Sequence, residues 1–342
     1  MRPTVFAARP LLALFAGFVL LSAGCVDFDR QTIVIAFDPD RDEAHALLVY
    51  EDLNPGGDKE EDLKRAKQTL DFLFAQEKGF ILAHPLAIIP VIPPAEKEKL
   101  DEQAKKFRDL LLKHLTVKKG TFFVNKEGRL CGTQTVDIRG VKKFVDRINM
   151  SISDTLISDT VGEWPARLLS DRTKRGDLDE ETLRLWQKAA RDRHPWFTYE
   201  PGQIKLTLVG SPKYLASVKR WLVNGLVLNE LRRIVEGAPK QDAVEKRNRE
   251  LYHLRVLQRW GEVVAEVPWS VEQKRDRLSL AIGLADGRPL RLFSPYVTQE
   301  PGLKAAEMIA HAKKLGLPFQ KDAMVESVIA DFLRKHPAGK SK

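Results

Sequence analysis

The chain has 342 residues, 43% of them hydrophobic and 30% charged, with a mean hydropathy of −0.29. That balance excludes a disordered chain and a bundle of membrane helices, and the length suffices for two folded domains. Two cysteines exclude a disulfide framework. Charge is uneven: residues 25–160 carry 21 Lys and Arg against 24 Asp and Glu, whereas residues 161–342 carry 33 against 23. A basic half of this kind favours contact with an anionic surface.

Arg2 and Arg9 flank the start of an apolar run, residues 11–21, which leads into Leu21-Ser22-Ala23-Gly24-Cys25. The run is too short and wrongly flanked for a membrane-spanning helix and reads as a secretory signal peptide over residues 1–24. Its end resembles the lipobox of bacterial lipoprotein precursors, with Ser22 where leucine is commonest. The resemblance implies a diacylglyceryl thioether on Cys25, which becomes an acylated N-terminus carrying palmitate-like chains. Val26 stands where an aspartate would retain such a protein at the inner membrane. The resemblance therefore implies the periplasmic side of the outer membrane in a Gram-negative host.

Residues 25–30 then read as a short tether. A domain over 31–157 follows, with the order ββα, α, ββα. Strands at 31–37 and 45–53 flank the turn Asp38-Pro39-Asp40-Arg41-Asp42-Glu43. Asp58 and Glu61 have capping-box spacing, and Leu63, Ala66, Leu70, Leu73 and Phe74 form one helical stripe ended by Gly79. A second helix spans 95–115. A second hairpin turns at Asn125-Lys126-Glu127-Gly128 and leads to a helix with Val141, Phe144, Val145, Ile148 and Ile152 on one face. The span 120–148 resembles the C-terminal ββα of the thioredoxin superfamily. It has no Cys-x-x-Cys, and Gly120 or Thr121 stands at the position of that family's cis-proline. The resemblance thus implies topology and not redox chemistry.

Residues 158–195 read as a linker containing a helix at 179–194, stopped by Pro195. A basic α+β domain over 196–342 completes the chain. It begins with a strand at 203–209 and a helix opened by Ser211-Pro212. A charged helix at 243–260 and a strand near 263–267 follow. Asp286-Gly287 suggests a hairpin between 278–284 and 290–296, and helices at 303–315 and 323–335 close the chain. The fold class is α+β, with antiparallel sheets built from hairpins and covered by helices.

Candidate chemistry is sparse. The seven histidines are scattered, with no His-x-x-x-His and no His/Cys cluster, so neither metal nor cofactor is expected. Cys131 lies in a strand without a neighbour suited to activate it. Six tryptophans, several beside basic residues, fit a core better than a ligand-facing surface. Asp38-x-Asp40 after an apolar strand is similar to motif one of the haloacid dehalogenase phosphohydrolases. Residues 206–211 resemble that family's phosphate-binding strand, and 283–286 its acidic motif. The resemblance implies an alternative reading, a Mg²⁺-dependent phosphohydrolase with Asp38 as nucleophile, Asp40 as acid/base and Ser211 on the phosphate. The leading expectation is a non-catalytic, lipid-anchored envelope lipoprotein, held in the membrane through Cys25. Its basic half would contact an anionic polymer, a lipid or a protein partner, and no nucleic acid.

Overall fold

The computed structural model describes residues 26–55, 59–81, 87–88, 102–157, 179–200, 203–219, 269–283, 289–293, 304–321 and 323–337. They fall into two compact units. One is drawn from Gly17–Val141 and Leu284–Lys342, the other from Lys142–Gly261 and Pro268–Gly283. The α+β class with antiparallel sheets and packed helices is as expected.

In the first unit, β1 (Arg30–Asp38) and β2 (Glu43–Glu51) form a hairpin in full register from Arg30↔Glu51 to Asp38↔Glu43. The tip uses Asp42 at φ 54°, a conformation that Asp tolerates better than most residues. β2 also pairs with β7 (Leu130–Arg139), which pairs in turn with β5 (Leu115–Val117) and β6 (Thr121–Val124). β3 (Phe80–Ile81) and β4 (Ala87–Ile88) pair with each other, α2 (Glu102–His114) leads into β5, and α6 (Ala305–Lys314) precedes the last strand. Two late strands complete the sheet. β12 (Leu290–Phe293) joins antiparallel to β1, and β13 (Phe319–Lys321) joins parallel to β6.

These pairings depart from the expected layout of the chain. The second half is not a contiguous domain over 196–342, because β12 and β13 belong to the sheet that β1 begins. Nor do 278–284 and 290–296 form a hairpin. β11 (Arg277–Gly283) instead turns back on β10 (Trp269–Lys274) through Arg275-Asp276, while β12 fills the edge of β1. Pairing along that edge outweighs the local preference of an Asp-Gly dipeptide.

Both faces of the large sheet are covered. Val34, Ala36, Leu47, Val49, Phe123 and Cys131 pack under Ile329 and Phe332 of the last helix, α7 (Val325–Lys335). On the opposite face, Tyr50 and Phe122 meet Phe74, with ring centroids 5.6 and 4.8 Å from it. Phe74 sits in a π-helical segment, Asp71–Ala75, that continues α1 (Glu60–Leu70). The cap of α1 lies one residue later than the spacing suggests: the Asp62 carboxylate accepts from the Lys59 N–H, and Asp58 lies outside the described residues. Phe74 can lie against the sheet because Gly132 and Gly120 are bare. A Cβ on Gly132 would stand 2.6 Å from Phe74 Cε1, and one on Gly120 2.3 Å from Phe74 Cδ1.

Beneath these rings lies a buried polar network. The Tyr50 hydroxyl is 3.0 Å from both the Ile81 carbonyl and Gln134 Oε1, and accepts from the Ile81 N–H at 3.2 Å. Gln31 Nε2 donates to the same Ile81 carbonyl, and Gln134 Nε2 donates to the carbonyls of Leu73 and Gly79. Burial drives the Tyr50 pKa well above its ordinary value.

The second unit has a four-stranded antiparallel sheet in the order β10-β11-β9-β8, with β8 at Phe197–Glu200 and β9 at Gln203–Val209. Its core gathers Ile152 of α3 (Val141–Ile157), Trp186 of α4 (Glu180–Arg191), and Trp196, Leu208 and Leu278. Tyr214, Leu215 and Val218, from helix α5 (212–219), complete it. Trp186 and Trp196 are therefore core residues, each with its indole N–H satisfied, by the Val209 carbonyl and by Ser153 Oγ. The β6–β7 hairpin leads into a helix as expected, but the apolar side of α3 (Ile148, Ile152, Leu156) joins this second core. The expected helix at 243–260 and strand at 263–267 lie outside the described residues, as does most of the expected linker.

Tyr50→Phe should lower stability by about 1–3 kcal/mol, because the Ile81 N–H and Gln134 lose a buried partner. Urea unfolding should show a lower midpoint at an unchanged slope.

Candidate functional site

The sequence-derived candidates occupy unlike surroundings. Cys25 lies outside the described residues, but the chain directly after it, residues 26–30, is docked on the fold. Val26 and Phe28 are 1% and 0% exposed, and Asp27 and Asn54 exchange both backbone hydrogen bonds at 2.9 Å. Asp29 N–H donates to the Glu51 carbonyl, and Phe28 stands edge-on to Tyr50. The apolar residues 26 and 28 are what dock this segment.

Asp38 closes an antiparallel hairpin, whereas the phosphohydrolase resemblance implies the end of a parallel strand. Its carboxylate accepts from the Arg41 N–H at 3.2 Å and pairs with the Arg41 guanidinium, and Asp40 lies exposed in the same turn. Ser211 caps a helix. Its hydroxyl accepts from the Tyr214 N–H and donates to Asp179 Oδ2 at 2.5 Å. Asp179 in turn caps α4 by accepting from the Thr182 N–H. Burial opposes ionisation of Asp179, but its bonds to Ser211 and Thr182 outweigh that and hold its pKa below the ordinary carboxylate value.

The four-stranded sheet turns one polar face outward, and this face is a candidate for binding among the described residues. Alternation along the strands places Lys205 and Thr207 of β9, Arg277 and Ser279 of β11, and Glu272 and Lys274 of β10 on it. These six line a depression of about 150 Å³. Thr207 and Ser279 are cross-strand partners with hydroxyls 3.5 Å apart, and Arg277 stands opposite Lys274. Lys274 contacts Glu272 at 3.3 Å, but both side chains are well exposed, so the pair contributes little. Three cations against one carboxylate, with two hydroxyls between them, suit an anionic group. Behind this face His194 contacts the Thr207 carbonyl. Its pKa is lowered by burial first and by the Arg277 charge second.

A second cluster escaped the sequence reading. On the first unit's sheet, His45 and Asp137 are cross-strand partners, with His45 Nδ1 2.7 Å from Asp137 Oδ1. Lys118 Nζ lies 2.6 Å from the other carboxylate oxygen. The His336 ring stacks on His45, with centroids 4.1 Å apart and a 32° tilt, and Phe332 flanks it at 4.9 Å. Burial pushes the Asp137 pKa up, but hydrogen bonds from His45 and Lys118 prevail and hold it below its ordinary value. The His336 pKa is lowered, by burial first and then by the charge of His45. Stacked rings present faces rather than lone pairs to each other. Among the described residues no group of three or more His, Cys, Asp or Glu side chains is placed to hold a metal ion. Cys131 is fully buried, and burial pushes its thiol up to about 12.

Comparison with family models, with curated proteins and with solved structures finds no match.

The depressed pKa values of His336 and His194 should make stability fall on acidification. His336, His194 and Asp137 all have depressed pKa values, so the unfolded chain binds more protons and the stabilisation present above the unfolded pKa is lost as pH falls. For the histidines the loss begins near pH 6.5, and for Asp137 it begins below the ordinary carboxylate value. The melting temperature should drop between about pH 7.5 and 5. His336→Phe, which keeps the stack without the charge, should flatten that drop in part, since His194 still titrates.

Proposed function

We propose that the protein is a lipid-anchored lipoprotein of the cell envelope, non-catalytic, that binds an anionic envelope component through the polar face of its four-stranded sheet. The observation that carries the binding reading is the set Lys205, Lys274 and Arg277 around the Thr207–Ser279 hydroxyl pair. Backbone pairing fixes the positions from which these side chains project, so that they reach one common group. The anchoring reading rests on the sequence from Arg2 to Cys25, with Val26 favouring the outer membrane. Two or more acyl chains would hold the protein stably, where one would bind reversibly. The anionic group is a phosphate or carboxylate on a cell-wall polymer or a lipid headgroup, matching the excess of basic residues in the second half of the sequence.

Retention of the purified mature protein on isolated envelope material tests the binding. It should weaken with added salt, as an exposed charged face requires. Arg277→Ala should cost about tenfold in affinity, the scale of one charge-assisted hydrogen bond, and Lys205→Ala with Lys274→Ala a further decrease. Retention indifferent to salt and to all three substitutions would reject the reading. Mass spectrometry of the mature N-terminus tests the anchor: an acylated Cys25 is expected, and an unmodified one would reject it.

A further inference from the structure

We infer that the first unit sits flush on the bilayer in one orientation, with the Asn125–Gly128 turn in the headgroup layer and the Pro39–Asp42 loop pointing away. The inference rests on lipidation of Cys25 and adds the surface that meets the membrane.

Three features of the structure carry it. First, no slack exists between the anchor and the fold. Val26 is one Cα–Cα step of about 3.8 Å from Cys25, and the chain is already docked there, through the paired backbones of Asp27 and Asn54 and the buried ring of Phe28. A flexible linker would let the body tumble, and none is present.

Second, the strand directions collect one set of segments at this end. β1 starts here at Arg30, β2 finishes at Glu51, β6 finishes at Val124 and β7 starts at Leu130. The Leu53 N–H donates to the Leu130 carbonyl at 2.7 Å, and Arg129 bonds Asp52 Oδ2 at 2.7 Å. The corner at residues 52–54 is thereby tied to the turn at 125–128, and Lys126, Glu127 and Gly128 are exposed on it.

Third, the far end is remote. Nine residues of β1, at about 3.3 Å each, put the Pro39–Asp42 loop roughly 30 Å from the anchor. The headgroup region of one leaflet is only about 5–8 Å deep, so with β1 running away from the bilayer the loop lies clear of it. The anchored end carries both signs of charge, with Lys126 and Arg129 beside Asp27, Asp52 and Glu127. Its seating therefore comes from the lipid and the missing slack, and not from attraction to anionic lipid.

Site-directed labelling tests this cleanly, because Cys25 is blocked by its thioether and Cys131 is buried with a poorly ionised thiol. Lys126→Cys and, separately, Arg41→Cys are introduced into the full lipidated protein and labelled with a fluorophore. The proteins are reconstituted in phosphatidylcholine vesicles containing headgroup spin-labelled lipid. Quenching at position 126 should exceed that at position 41 severalfold in these uncharged vesicles. A short Gly-Ser insertion between Cys25 and Val26 should reduce the difference. Equal quenching at the two positions of a protein that floats with the vesicles would overturn the orientation. So would a difference unaffected by the insertion. A protein whose mass shows no acyl chains, and which fails to float, would instead count against the anchor itself.

Discussion

The larger unit depends on how one sheet face, otherwise apolar, satisfies the backbone of the irregular segment lying on it. Residues 71–81 leave the α-helix through a π turn and run across the sheet, bringing their carbonyls into a dry interior. Unpaired, each carbonyl would cost on the order of 1–3 kcal/mol. Three side chains from adjacent strands meet the need: Gln31 from β1, Tyr50 from β2 and Gln134 from β7. They align because Gln31↔Tyr50 are cross-strand partners, and Gln134 stands one residue pair further along its strand than Gly132, the partner of Tyr50. A one-residue slip of either strand would turn these groups to the other face. The network thus fixes register as well as satisfying carbonyls.

Much of this architecture was legible from local pattern. The β1–β2 hairpin follows from β-branched runs around a turn rich in Asp and Pro, and α7 follows from its apolar spacing. What local pattern does not carry is pairing across long separations. Nothing near Leu290 signals that its partner is Ile33, and Phe319–Lys321 is too short and too mixed to stand out as a strand. The stronger local signal, Asp286-Gly287, pointed to a hairpin that the two sheets do not form.

The same distinction separates the two clusters of polar groups. The basic face was within reach of the sequence, since Lys205-x-Thr207, Glu272-x-Lys274 and Arg277-x-Ser279 each show the two-residue period of a strand with one wet face. Pairing 278–284 with 290–296, and giving 269–274 no strand, obscured it. The His45–Asp137–His336 cluster was out of reach, because its members are 92 and 199 positions apart and meet only through the β2–β7 pairing and the return of α7. Ser211 shows the reverse case: a serine ending a strand resembles a phosphate ligand in one dimension, and in three it holds the start of a helix.

The placement of β12 and β13 bears on the order in which the chain can fold. β1 is among the first strands made, yet one of its edges is filled by residues 290–293, and the outer edge of β6 waits for residues 319–321. Until nearly the whole chain has reached the compartment where it folds, the β1–β2 hairpin presents an unpaired edge, of the sort that recruits other strands. Closing such long loops is slow relative to local helix and hairpin formation. A chain of this design stays incomplete, and open to chaperones, until its last strands and helices arrive.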